Sequence, residues 1–223
     1  MIRFILKLCA CALALAVASP PSFAADMPGR YGEPAYGPTA FSWYGFYLGI
    51  NGGYGWGTSN WSGSSLVGSV SPAGPMFGGT LGFNMQAGAF VFGVEGDIDG
   101  NWMSSTNNAT GFCTGCGIQT SWFATARGRV GYAFDRALFY VTAGGAFGDV
   151  QMQALGGTAS VSRAGWTVGT GLEYSILGPW SAKVEYLYAN LGSATCGTGV
   201  CGATTAVDFK TSIIRLGVNY RFW

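Results

Sequence analysis

From Phe90 to Trp102 the chain reads F-V-F-G-V-E-G-D-I-D-G-N-W, and its residues sort by parity into two unlike sets. Phe90, Phe92, Val94, Gly96, Ile98, Gly100 and Trp102 form one; Val91, Gly93, Glu95, Asp97, Asp99 and Asn101 form the other. A period of two marks a β-strand whose faces meet different surroundings. The pattern alone leaves open which face is wet, because a soluble strand buries its apolar set and a barrel strand in a membrane turns it to lipid.

The same alternation predicts eight strands, over about 43–57, 76–86, 90–102, 119–132, 137–148, 163–176, 180–191 and 207–223. In the first, Phe46, Leu48, Ile50, Tyr54 and Trp56 share a phase opposite Tyr47, Gly49, Asn51, Gly53 and Gly55. Leu138 disturbs the phase of the fifth, where Phe139, Val141 and Phe147 oppose Tyr140 and Thr142. Short turns at Ala87–Ala89, Phe134–Arg136 and Leu177–Pro179 alternate with long polar connections at Ser59–Pro75, 103–117, Asp149–Ser162 and Gly192–Ala206. Alternating long and short connections are the arrangement of outer-membrane barrels, with long loops outside the cell and short turns in the periplasm. Aromatic residues near strand ends, Trp43, Trp56, Trp102, Trp122, Tyr132, Trp166, Tyr174, Trp180 and Tyr220, read as interfacial girdles. The fold class is therefore all-β, an eight-stranded antiparallel up-and-down transmembrane β-barrel.

Composition supports the membrane reading. Charged residues are 9% of the chain, against about 25% in a typical soluble domain. No apolar run beyond the N-terminus is long enough for a spanning helix, which needs about 20 residues. At the N-terminus Arg3 and Lys7 precede an apolar run from Leu8 to Ala18 and a small-residue site at Ser22-Phe23-Ala24. Residues 1–24 read as a secretory signal peptide, 25–41 as an extended periplasmic segment rich in Pro and Gly, and 42–223 as the barrel. Without Arg3 and Lys7, eleven basic residues become nine against ten acidic ones, a net charge of −1. A chain with no excess of positive charge has no electrostatic case for nucleic acid.

A charge facing the bilayer midplane costs about 2–4 kcal/mol for Arg or Lys. The strand charges avoid the apolar phase, so they are expected to line the lumen: Glu95, Asp97, Asp99, Glu173 and Glu185 against Arg127, Arg129, Lys183, Arg215 and Arg221. Eight strands leave an interior that side chains can fill. The expectation is a charge-paired plug in place of an open channel, with the acids of the third strand paired to the neighbouring arginines.

Five stretches carry a family resemblance: W-Y-G-F-Y-L-G-I-N-G-G-Y-G-W-G at 43–57, F-G-V-E-G-D at 92–97, A-R-G-R-V-G-Y-A at 126–133, G-W-T-V-G-T-G-L-E-Y at 165–174 and R-L-G-V-N-Y-R-F at 215–222. Together they resemble the small alphaproteobacterial outer-membrane β-barrel family. This group has OmpA-like transmembrane domains, is often labelled "porin family", and includes surface antigens and some haemin-binding proteins. The resemblance implies contact with outer-membrane lipids and lipopolysaccharide. It also implies recognition by the barrel-assembly machinery through the last strand, where Tyr220 and Phe222 resemble the terminal aromatic signal. Trp223 adds one residue beyond the usual terminal Phe and reads more simply as rim packing.

The sharper chemical signals are few. Cys113, Cys116, Cys196 and Cys201 lie in long connections of an exported chain, which favours disulfides. Within-loop pairs 113–116 and 196–201 are the preferred connectivity, and a four-thiolate zinc site is the alternative. Asp97-Ile98-Asp99-Gly100-Asn101 brushes a calcium-loop pattern but has Asn108 where the twelfth-position acid belongs. The chain contains no histidine, whereas the known enzymes among small outer-membrane barrels, such as lipid A deacylases, palmitoyltransferases and omptin proteases, use one. No catalytic residue, cofactor or metal is therefore assigned. The expected function is a non-enzymatic envelope barrel presenting surface loops. The alternatives are a small-solute porin and loop-mediated binding of haemin or host surfaces, for which Met103 or Met152 would be candidate haem ligands.

Overall fold

The computed structural model describes residues 41–62, 67–107, 116–154, 157–196 and 205–222. The strands in chain order are β1 (Gly45–Ser62), β2 (Val67–Val70), β3 (Ala73–Ala87), β4 (Phe90–Asn101), β5 (Ser104–Asn107), β6 (Cys116–Gln119), β7 (Trp122–Phe134), β8 (Ala137–Ala154), β9 (Gly157–Leu177), β10 (Trp180–Cys196) and β11 (Thr205–Arg221). Eight of them, β1, β3, β4, β7, β8, β9, β10 and β11, each pair antiparallel with two neighbours. The ring closes where β1, already paired with β3, also pairs with β11 from Tyr47↔Arg221 to Ser62↔Ala206.

Alternation translates directly into two faces. Along β4, Val91, Glu95, Asp97, Asp99 and Asn101 are buried inside while Phe90, Phe92, Val94 and Ile98 point outward. Ile50 and Ile98 are 73% and 66% exposed on that outer wall, which only an apolar surrounding makes favourable. Aromatic contacts mark both rims of the apolar band. Phe90–Tyr132 (5.4 Å) and Trp180–Tyr220 (5.0 Å) lie near the short turns, and Phe77–Trp102 (6.3 Å) and Trp166–Tyr188 (5.6 Å) lie at the other end.

All four stretches expected as long loops contain paired strand. The β8–β9 ladder continues without a break to Ala154↔Gly157. β10 and β11 stay paired to Cys196↔Thr205, with a register shift between Asn190 and Ser193. β2 pairs with the end of β1, and β5–β6 forms a small ladder joined to β8. Crossing a bilayer takes about 9–11 tilted residues per strand, so the 18 residues of β8 and 21 of β9 project beyond it. Past the bilayer both faces of a hairpin are wet. The apolar alternation stops there while backbone pairing continues, and Ser- and Gly-rich strand resembles loop.

The opposite end has tight turns, with positive φ at Gly88 (62°), Asp135 (50°) and Gly178 (53°). Here the chain enters the barrel through Gly45, whose φ of 124° redirects it and where a Cβ would lie against the Phe222 carbonyl oxygen. Phe41, at the end of the expected periplasmic segment, packs against Trp43 (5.0 Å between ring centroids) and so belongs structurally with the barrel. The expected signal peptide and residues 25–40 lie outside the described residues.

Candidate functional site in the barrel lumen

The inward faces of the eight strands stack into three layers along the barrel axis. At the turn end Trp43, Val91, Leu138 and Tyr140 form an apolar cluster, with Phe41 and Ala133 packed on it. Trp43 is fully buried, takes the Gln86 side-chain oxygen on its backbone N–H (2.6 Å) and donates its indole N–H to the Asp135 carbonyl (3.3 Å). Trp43 was expected in the lipid-facing girdle, and the structure corrects this. The turn at Gly45 reverses its side, and it stoppers the mouth from within. Leu138, out of phase with an outward apolar set, is likewise interior because it belongs to this stopper.

At the other end Met76, Phe123, Ala146, Leu187, Ala189, Leu191, Phe209 and Ile213 form a second apolar cluster. Met103 is buried beside it, at 1% exposure. This corrects its reading as a loop residue free to ligate haem. The side chain of Met152 lies outside the described residues.

Between these layers lies the charge network. Glu95 and Arg127 face each other in register across β4 and β7 and are joined by an ion pair. The Arg127 guanidinium also reaches Asp97 (2.7 Å) and Glu185 (2.9 Å). Arg215 reaches Asp97 (2.9 Å), Glu185 (2.7 Å) and Asp99 (3.2 Å). Lys183 pairs with Glu95 at 3.0 Å, and Arg129 with Glu173 at 2.9 Å. The pairing is thus partly local, as between β4 and β7, and partly across the lumen, as Arg129 to Glu173 on β9. All of these side chains are buried. Such charges are tolerated inside only when paired and hydrogen-bonded.

Neutral groups complete the layer. The Tyr47 hydroxyl donates to Glu95 (2.7 Å) and accepts from Arg129 (2.9 Å). Thr80 and Thr125 donate to Asp97 (both 2.8 Å), and Ser181 and Asn219 donate to Glu173 (2.6 and 2.9 Å). The Tyr47 ring lies where a Cβ on Gly82 would be. Charge alone did not single out these partners. Their parity did mark them: Thr125, Ser181 and Asn219 share a phase with charges on their own strands, and Tyr47 and Thr80 stand opposite the apolar phase of theirs.

Nine of the ten residues expected in the network are brought together, and Arg221 is the exception. Its guanidinium donates to the Ser42 carbonyl (2.7 Å) and stacks on Phe41 and Trp43 at 4.9 and 4.6 Å. Arg221 is the last residue of β11, level with the stopper, and makes none of the ion pairs described above. Asp97 and Asp99 of the calcium-like stretch are held by arginines, and Asn101 accepts the Met103 backbone N–H at 2.9 Å. Of the cysteines, Cys116 opens β6 and Cys196 ends β10. Cys113, Cys201 and Trp223 lie outside the described residues, as does any disulfide pairing. Tyr220 and Phe222 point outward and touch each other at 5.1 Å.

The sequence matches the family model for the outer membrane protein beta-barrel domain over residues 9–222. It is 36% identical over 218 residues to the 31 kDa outer-membrane immunogenic protein of Brucella melitensis, covering 85% of this chain and 90% of that one. It is 32% identical over 182 residues to the 25 kDa outer-membrane immunogenic protein of Brucella abortus, covering 82% and 80% respectively. The crystal structure of the outer membrane protease OmpT from Escherichia coli superposes with a TM-score of 0.52 at 8% identity, covering 80% of this chain and 97% of that one. That last likeness is one of fold alone.

Proposed function

Because the chain belongs to the outer-membrane β-barrel family and is an outer-membrane protein, we propose that it is a closed, non-enzymatic structural barrel of the Gram-negative envelope that presents its strand extensions at the cell surface. The observation that carries this reading is the lumen, filled at three levels by the stopper around Trp43, the charge network and the apolar cluster around Phe209. A water-filled path would have to pass all three. Solute diffusion is the reading that this packing opposes.

Absence of histidine from the chain supports a non-enzymatic role, since general acid–base chemistry in related barrels relies on it. The outward apolar wall is the surface for lipid. The exposed Tyr220 on β11 and Phe222 just after it would serve the assembly machinery, and lipopolysaccharide would meet the aromatic rim near Trp102 and Trp166. The names of the two Brucella relatives fit a surface-presented barrel.

Planar-bilayer recording of the refolded protein tests the reading. The expected record shows no stable conductance above lipid alone, and a steady porin-like current would replace the structural role with solute diffusion. In cells, deletion should raise envelope permeability to detergents and large antibiotics.

A further inference from the structure

Four of the five network carboxylates have both oxygens engaged: Glu95, Asp97, Glu173 and Glu185. Asp99 is different. Its Oδ2 meets Arg215 at 3.2 Å, while its Oδ1 is fully buried with no hydrogen-bond partner. On β1, Asn51 is buried with its own Oδ1 unpartnered. Asn51, Gly78 and Asp99 are successive ladder partners across β1, β3 and β4. A Cβ on Gly78 would strike Asp99 Oδ1, so that oxygen leans across the glycine toward β1.

The orientation of the Asn51 amide follows from its neighbour. Thr80 has one hydroxyl proton and gives it to Asp97 Oδ1 at 2.8 Å. It must therefore accept from Asn51, whose Nδ2 lies 3.2 Å away. Nδ2 is thereby fixed toward Thr80. Oδ1 is left without a donor, and Asp99 Oδ1 approaches from the other side of Gly78. Residues two strands apart are separated by about 10 Å between Cα atoms, which two short side chains and one O–H···O bond of about 2.7 Å span.

The charge balance of the layer points the same way. Five carboxylates share four cations, Arg127, Arg129, Lys183 and Arg215, because Arg221 stands apart at the mouth with Ser42, Phe41 and Trp43. Within this layer the buried carboxylates outnumber the cations by one, Arg221 lying farther along the lumen, and a buried charge without a full partner is costly.

We infer that the Asn51–Gly78–Asp99 row is a proton-binding site, in which Asp99 is a neutral carboxylic acid donating from Oδ1 to the Asn51 side-chain carbonyl. The proton pairs two acceptors that otherwise have no donor and brings the layer to neutrality. A hard metal cation fits poorly, since calcium, for example, takes about 6–8 oxygens. Here two are free and the Arg215 guanidinium is 3.2 Å from the same carboxyl. Lys183 does not compete for the role, because its ammonium is committed to Glu95 at 3.0 Å.

Infrared spectroscopy of the refolded full chain at neutral pH reads the proton directly. The wild type is expected to show a carboxylic-acid carbonyl band equivalent to one acid, in addition to carboxylate bands. D99N, whose amide can donate to Asn51 in place of the acid, should lose that band and keep heat-modifiable migration on gels. N51L should retain the band and move it toward the frequency of an acid without a hydrogen bond. A wild-type spectrum with carboxylate bands only, or a band that survives D99N, overturns the assignment.

Discussion

Arg127 touches three carboxylates, those of Glu95, Asp97 and Glu185, with no exposed atom in its side chain. Removing one member of a buried ion network leaves its partners charged and unpaired, at a cost of about 3–5 kcal/mol. Arg127→Met is expected to lower the unfolding free energy in urea by about that amount. Glu95→Gln added to it should recover part of the loss, because one of the stranded charges is then gone. A second test contrasts two glycines of β3. A Cβ on Gly82 would occupy the Tyr47 ring, so Gly82→Val should displace Tyr47 from Glu95 and Arg129 and cost about 1–3 kcal/mol by overpacking. At Gly79, whose added Cβ would meet nothing nearer than the Gly49 carbonyl oxygen at 3.7 Å, Ala should be neutral or slightly stabilising in the same urea titration. At this scale parity was legible in the sequence: Glu95, Asp97 and Asp99 on one face, Val94 and Ile98 on the other. Depth was not. Val91 and Leu187 share their parity with neighbouring charges, yet they stand in different layers because position along the axis decides which lumenal neighbours they meet. Alternation carries no information about that.

The strands are longer than a bilayer requires, and their outer ends depend on polar staples in place of lipid. Asp149 on β8 accepts the backbone N–H groups of Ser121 (2.9 Å) and Trp122 (3.2 Å) and the Gln151 side chain (3.2 Å), tying β8 to the start of β7 beyond the membrane band. Burial pushes its pKa up, but those N–H donors outweigh burial and hold it below the usual carboxylate range. A lowered folded-state pKa stabilises the charged form. The contribution is therefore complete above the unfolded value of about 3.9 and is lost as pH falls through the lowered one. Amide hydrogen exchange at Ser121 and Trp122 should stay slow down to about pH 4 and quicken below it, whereas Asp149→Asn should exchange quickly throughout. The sequence hid these extensions, since Thr158–Ser162 and Ser193–Thr195 lack the apolar alternation that lipid imposes and read as loop. At the other end, Arg221 ties the entering segment to the closing strand through Ser42, Phe41 and Trp43. Arg221→Ala should leave the barrel heat-modifiable but make the chain before Gly45 cleavable by chymotrypsin.

For the whole molecule, the arrangement of the lumen matters more than any one layer. Two apolar clusters flank a polar one, and ions meet different obstacles in each. The stopper around Trp43 and the cluster around Phe209 offer no hydration, while the middle layer offers charges that are already satisfied by one another. Obstacles in series act like resistances in series, so the least permeable layer sets the current. Trp43→Ala removes the largest stopper side chain, and Phe209→Ala thins the opposite cluster by an aromatic ring. Neither touches the pairs made by Arg127 and Arg215. Each variant alone, and both together, should therefore remain non-conducting in planar bilayers while losing stability as cavity-forming changes do, by about 3–5 kcal/mol apiece. A current in the double variant would show that water already threads between the side chains of the charge layer. A current in Trp43→Ala alone would go further, showing the outer cluster to be permeable as well and the stopper to be the gate.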